Sequence, residues 1–261
     1  MSAEIKISII IPTVNEATYI EATVKQFTSH FKKDKLEVLV VDGSSNDNTT
    51  EIAKASGAIV IADAPRNRAT QMNIGARNAS SSILYFVHAD VQVPLSFIDD
   101  ILTALSSGYN AGCYRSGFEN NPGLMKLNAF VTRFNWLTAR GGDQTLFISK
   151  QFFQDLRGYG ETYSIMEDYD LVKRIWATDK KFIILPKEVK ISMRKYINNG
   201  WIKVQYANAI AMIMFRCGYP ADQIKKKYLS IIKANNHPNL GLMLLFQNCC
   251  KAANAIHGNP S

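Results

Sequence analysis

The sequence predicts an α/β fold of Rossmann-like type, with a mostly parallel central sheet flanked by helices and a C-terminal helical extension. Two observations predict it. Through the first ninety residues short β-branched runs alternate with segments of helical period, the pattern that wraps crossover helices around a parallel sheet. Toward the end strand-like runs cease and only helical spacing remains. A chain of 261 residues, 47% hydrophobic and 20% charged, is long enough for one large domain with a full core. Because no repeat, low-complexity tract or linker divides it, residues 1–195 are expected to form one domain and 196–261 its extension.

The elements follow in order. Ile7–Ile11 is a continuous apolar run, as in a strand buried on both faces. Ile20, Val24, Phe27 and Phe31 recur on one helical face. Leu36–Val41 is a second strand ending in Asp42-Gly43, Asp47–Ser56 a helix stopped by Gly57, and Ala58–Ala62 a third strand. Asn67–Ala79 is a helix burying Ala69, Met72, Ala76 and Ala79, and Ile83–Val87 a fourth strand running into His88-Ala89-Asp90. Helices are expected at Pro94–Leu105, Leu124–Thr138, Lys150–Leu156 and Glu167–Thr178, with strands at Gly112–Phe118, Asp143–Ile148 and Phe182–Leu185. The tail reads as helices Trp201–Cys217, Ala221–Lys233 and Leu240–Ala253.

Composition narrows the setting. The N-terminal apolar run stops at Pro12, and Ala207–Phe215 is far shorter than the ~20 residues a spanning helix needs. A cytoplasmic protein is expected, or one peripheral at the inner membrane face. Cys113, Cys217, Cys249 and Cys250 form no CxxC pair and stand at no zinc spacing from His30, His88, His237 or His257, so reduced structural thiols are expected. The net charge of +8 is concentrated between Lys187 and Lys233, where ten Lys and Arg face only Glu188 and Asp222. Such a segment suits an anionic partner (pyrophosphate, a phosphorylated acceptor or lipid headgroups), and reads equally as a solvated lysine-rich face.

Four polar clusters stand at strand ends or helix starts. Pro12-Thr13-Val14-Asn15-Glu16 and Asp42-Gly43-Ser44-Ser45 follow the first two strands. A carboxylate followed by small residues can accept hydrogen bonds from a base or ribose; Asp42-Gly43 is equally a turn with Ser45 or Asp47 as helix cap. Arg68 begins a helix where it can face phosphate or form a surface ion pair. Asp90 ends a central strand, a rigid position for an oxygen ligand to Mg²⁺ or Mn²⁺, while His88 reads better as a core imidazole. Glu167-Asp168 opens a helix, either as dipole-favoured acids or as a base that takes a proton from a hydroxyl.

In order and rough spacing these clusters resemble the family-2 glycosyltransferases of GT-A fold. They are most similar to a small soluble bacterial subgroup with an Arg-x-x-Gln-Met/Leu-Asn-x-Gly-Ala helix, His-Ala-Asp for Asp-x-Asp, and Gly-Asp-Gln; here these are Arg68 to Ala76, His88 to Asp90 and Gly142 to Gln144. The resemblance spans roughly residues 6–235 and implies a nucleotide-binding half, 1–100, and an acceptor half, 101–195. It implies that Pro12, Thr13 and Glu16 line the nucleotide pocket, that Asp42 reads the base with Ser44 nearby, and that Arg68 approaches the donor phosphates. Asp90 would bind Mn²⁺ or Mg²⁺, Asp168 would be the catalytic base, and Glu167, Asp143 and Gln144 would stand by the acceptor. The implied reaction is an inverting transfer from a UDP- or GDP-linked sugar to an acceptor whose identity the sequence does not give. Nucleic acid is not an expected partner; membrane contact through the basic C-terminal helices and homodimerisation are.

Two departures from the family pattern stand out: His88 replaces the first Asp of Asp-x-Asp, and Arg194-Lys195-Tyr196 stands where processive synthases carry Gln-x-x-Arg-Trp. Transfer of a single sugar is therefore expected. The alternatives are a nucleotidyltransferase, which needs a Gly-rich, Lys-containing loop that Ile11 to Val24 lacks, and a catalytically silent nucleotide-sugar-binding protein. A dinucleotide oxidoreductase is poorly supported without a G-x-G-x-x-G after the first strand.

Overall fold

Every residue from Ile7 to Thr13 is buried, which makes β1 (Ile7–Thr13) an interior strand. The computed structural model describes residues 7–29, 35–118, 129–137 and 144–234. The chain divides into two compact units, Met1–Glu161 with Glu167–Ser192, and Thr162–Met166 with Met193–Ser261.

In the first unit β1 is followed by α1 (Ile20–Thr28), β2 (Leu36–Asp42), α2 (Thr49–Ala55), β3 (Ile59–Ile61), α3 (Arg68–Asn78) and β4 (Ile83–Phe86). Then come β5 (Val91–Gln92), α4 (Phe97–Ser106), β6 (Ala111–Phe118), β7 (Leu146–Ser149), α5 (Lys150–Asp155), α6 (Glu167–Trp176) and β8 (Phe182–Ile191). The strands form one sheet in the order β3-β2-β1-β4-β7-β6-β8-β5. β3, β2, β1 and β4 run parallel, as do β6 and β8, while β7 is antiparallel to both its neighbours and β5 to β8. The result is the mixed, mostly parallel α/β sheet flanked by helices that the alternating pattern predicts.

Helix α3 shows how sequence sets packing. Asn67 caps it by accepting from Thr70 N–H at 3.2 Å, and Ala69, Met72 and Ala76 are buried. These small residues let the helix lie close on the sheet: a Cβ at Gly75 would collide with Ile10 Cγ2 and approach Val41 Cγ2 to 3.2 Å. Two strands differ from the sequence expectation. β5 has only two residues, too few for any period, and β8 continues beyond Leu185 through Pro186. A mid-strand proline normally ends a ladder; here a register shift between Tyr114 and Arg115 of β6 absorbs it. Of the expected helix Leu124–Thr138, residues 129–137 are described and are helical only over 129–131; the rest of it, and all of Leu240–Ala253, lie outside the described residues.

The second unit contains α7 (Arg194–Asn199), α8 (Trp201–Arg216) and α9 (Ala221–Lys233). Gly200, at φ 76°, supplies the left-handed corner between α7 and α8. Helix α7 escapes sequence reading because six residues show less than two turns of period. Tyr163 meets Phe215 edge-on with centroids 5.8 Å apart. No helix among the described residues is long and apolar enough to cross a membrane.

Gly75→Ala separates two forces. Helix propensity alone favours Ala by about 1 kcal/mol, whereas overpacking against Ile10 costs about 1–3 kcal/mol. A net destabilisation in urea unfolding is the expected result.

Candidate functional site

The parallel strands deliver their polar residues to one edge. Thr13 and Asp42 are register partners at the carboxyl ends of β1 and β2, and Thr13 Oγ1 donates to Asp42 Oδ1 at 3.0 Å. Asp42 is only 1% exposed, and it also accepts from Ser45 Oγ at 2.5 Å and from Ser45 N–H at 2.7 Å. Pro12 is buried inside β1.

The loops beyond these strands are laced together. Asn15 N–H donates to Ser45 Oγ at 2.8 Å, and Asn46 N–H donates to Asn15 Oδ1 at 2.8 Å. Glu16 N–H donates to Thr49 Oγ1 at 2.8 Å, and Ala17 N–H to Asp47 Oδ2 at 3.2 Å. The hydroxyl of Thr49, together with backbone donors, holds the Asp47 carboxyl below its ordinary pKa. Asn15 and Ser44 both take φ 57°. Asn tolerates that region, but Ser44 is an uncommon occupant, and Arg66 braces it by donating to Gly43 O at 3.1 Å and Ser44 O at 2.6 Å.

Helix α3 joins this edge to the segment ahead of α6. Gln71 Nε2 donates to Thr13 O at 3.0 Å. Asn73 clamps Tyr159: its Nδ2 donates to Tyr159 O at 2.9 Å, and its Oδ1 accepts from Tyr159 N–H at 2.9 Å. The same Nδ2 reaches Glu161 Oε1 at 2.9 Å. Arg68 Nε lies 3.2 Å from Glu167 Oε1, pairing a carboxylate side chain 4% exposed with an arginine 43% exposed. The N-terminus of α6, with Glu167 and the half-buried Asp168, is thereby drawn to the edge where α3 begins. Tyr159 packs edge-on to Phe86, the last residue of β4, at 5.2 Å between centroids. Burial, and then the charges of Asp168 and Glu167, raise the Tyr159 pKa well above its ordinary value.

Asp90 follows β4 on a segment held by α1. Thr23 Oγ1 donates to Ala89 O at 2.5 Å, Gln26 Nε2 to Val91 O at 2.9 Å, and Val93 N–H to Gln26 Oε1 at 2.9 Å. Asp90 lines a cleft of about 450 Å³ with Tyr19, Gln26, Gln92, Lys190 and Ser192 among others; Thr13, Asp42, Arg68 and Asp168 lie outside its lining. Among the described residues no three His, Cys, Asp or Glu side chains gather into a metal cage. One half-buried carboxylate nonetheless fits Mg²⁺ or Mn²⁺, which keep waters and take phosphate oxygens as remaining ligands. Gln144 accepts a 3.6 Å contact from Cys113 Sγ, and Asp143 lies outside the described residues.

Gln71, Asn73 and Tyr159 were not among the sequence's site candidates. A signal existed for Asn73: Ala69, Met72, Asn73 and Ala76 follow i, i+3, i+4, i+7, so an amide occupies a core-facing slot of the apolar stripe. A buried amide there requires polar partners.

A family model described as Glycosyl transferase family 2 matches residues 8–166. Glycosyltransferase AglE of Haloferax volcanii is 37% identical over 91 residues, 32% of this chain and 30% of that protein. The chain covers less than two thirds of the length of that relative and of a second curated one. Mannosyltransferase PcManGT from Pyrobaculum calidifontis, solved with GDP-Man and Mn²⁺, superposes with TM-score 0.63 at 15% identity, covering 98% of this chain and 77% of that one. S. aureus TarS 1–349 with UDP-GlcNAc gives TM-score 0.64 at 14% identity, covering 97% and 82%. These two likenesses are likenesses of fold.

Asn73→Ala leaves the Tyr159 N–H and C=O without their side-chain partner. Urea unfolding should register a loss of about 2–4 kcal/mol; a change under about 0.5 kcal/mol would mean the clamp holds nothing.

Proposed function

Since the chain belongs to glycosyl transferase family 2, we propose that it moves a sugar from a UDP- or GDP-linked donor to an acceptor hydroxyl, with inversion at the anomeric carbon. The observation that carries this reading is the α3 bridge. The Arg68–Glu167 pair and the Asn73–Tyr159 clamp bring the α6 carboxylates to the edge that bears Thr13 and Asp42, the edge at which β4 leads into Asp90. Ligands of such sheets bind beyond the carboxyl ends of the strands.

Residues 1–100 form the donor half in this reading and 101–195 the acceptor half. Pro12, Thr13, Glu16 and Ser44 line the nucleotide pocket. Asp42, whose carboxylate oxygens engage Thr13 and Ser45, reads the base by fixing the Ser44–Ser45 turn against it. Arg68, braced by Glu167, faces the donor phosphates. Asp90 would hold Mn²⁺ or Mg²⁺, which would supply positive charge against the departing diphosphate. Asp168 accepts the proton of the acceptor hydroxyl as its oxygen attacks the anomeric carbon and the bond to the diphosphate breaks. Glu167, Asp143 and Gln144 stand on the acceptor side. The donors in the two neighbouring complexes, GDP-Man and UDP-GlcNAc, support this donor class.

Asp168→Asn should abolish transfer, at least a hundredfold by the usual worth of a general base, while donor affinity stays within a few fold. Surviving turnover would remove Asp168 from the base role. In calorimetry with UDP- and GDP-sugars, Asp90→Ala should lose the increment in affinity that Mn²⁺ adds to the native chain; an undiminished Mn²⁺ effect would place the ion elsewhere.

A further inference from the structure

The net charge of the chain is segregated by unit. The second unit holds nine of the thirty Lys and Arg but one of the twenty-two Asp and Glu, Asp222, so it carries the entire +8 and the first unit is neutral. With one acid against nine bases, that unit can neutralise few of its cations internally.

The same unit leaves large apolar side chains bare. Ile197 on α7 and Ile202 at the start of α8 are 72% and 65% exposed, on either side of the Gly200 corner. Two packing contacts place α9 beside that corner. Lys203 Nζ donates to Ala234 O at 2.6 Å, at the C-terminal end of α9, and Lys195 Nζ lies 5.5 Å from the centroid of the Tyr228 ring. Ala221 and Ile224 are the buried residues of α9, while Lys225, Leu229 and Lys233 recur every fourth position on its exposed side, with Leu229 38% exposed. Lysines therefore alternate with a bare leucine on one helix face, next to a corner tipped with two bare isoleucines.

From this arrangement we infer that the α7–α9 unit is a docking surface for an anionic lipid bilayer. The lysines meet the headgroups, and Ile197, Ile202 and Leu229 enter the acyl boundary. Basic residues and aliphatic side chains on one face is the composition of interfacial membrane binding, in which electrostatic attraction and buried apolar area add. A nucleic acid would suit the charge but offers nothing to two exposed isoleucines. The inference is independent of the sugar-transfer reading, because it uses no residue of the proposed site.

The test is sedimentation of the full chain with vesicles of phosphatidylcholine alone or with added phosphatidylglycerol, at low and at physiological salt. Binding is expected only where phosphatidylglycerol is present. Each lysine near such a surface contributes about fivefold, so Lys225→Gln/Lys233→Gln should weaken binding on the order of twenty-five-fold. Ile197→Ser/Ile202→Ser should remove the part that survives raised salt, with Leu229→Ser as a second apolar variant should the first lower the thermal midpoint. Equal binding to both vesicle types, no binding to either, or unchanged binding by the variants would overturn the inference. So would retention on duplex DNA by a chain that leaves anionic vesicles untouched.

Discussion

The amide of Asn73 is the constraint on which the site depends. It faces the core side of α3, where an apolar residue would be the stable choice, and instead spends its hydrogen-bonding groups on the backbone of Tyr159 and on Glu161. A carboxylate there could not donate, and a hydroxyl has a single O–H and so could not serve both Tyr159 C=O and Glu161. Because buried backbone groups cost about 1–3 kcal/mol each when unpaired, the clamp is self-enforcing: Tyr159 has no equally good alternative. With Tyr159 fixed against Phe86 and Phe153, the chain approaches α6 from a set position. Glu167 can then reach Arg68 on the same α3. One helix face thus ties the loop after β1, through Gln71, to the acids of α6, through Asn73 and Arg68.

Charge segregation follows a similar logic. A neutral first unit with buried carboxylates, Asp42 and Glu167, keeps its acids for internal work: Asp42 holds a turn and Glu167 holds an arginine. The second unit has a single acid to pair with its bases, Asp222, and its buried residues are apolar ones such as Val204, Ala207, Ile210 and Ile224. Surface ion pairs contribute little to stability, so a unit with so few acids loses little and gains a field directed outward.

Much of this was legible in the sequence where burial is two-sided or period is long. Ile7–Ile11 and Leu36–Val41 are strands because no solvent face interrupts them, and Ala69, Met72 and Ala76 announce the packed side of α3. Val91–Gln92 could not be read, because a two-residue strand exists only by pairing with Ile191 and Lys190 far along the chain. Beyond Leu185, Pro186 mimics a strand end, and only the offset on β6 reveals otherwise. At the site, acids after strands were visible as a pattern. What Asp42 touches was not, because its partners Thr13 and Ser45 are chosen by register between parallel strands.

The reversal of β7 has the last word on how the two halves can share an edge. Leu146, its first residue, pairs with Phe86, the last residue of β4. The chain preceding β7, including Gln144, therefore enters at the carboxyl edge rather than the opposite one. β6 is antiparallel to β7 and parallel to β8, so Phe118 and Ile191 also end there. Had β7 run parallel to β4, the residues ahead of it would stand a strand length away, about 13 Å for four residues at ~3.3 Å each. A single antiparallel strand inserted between parallel ones gathers the segments after β1, β2, β4, β6 and β8 with the one before β7. That gathering gives a reaction between two bound molecules a shared rim on one side of the sheet.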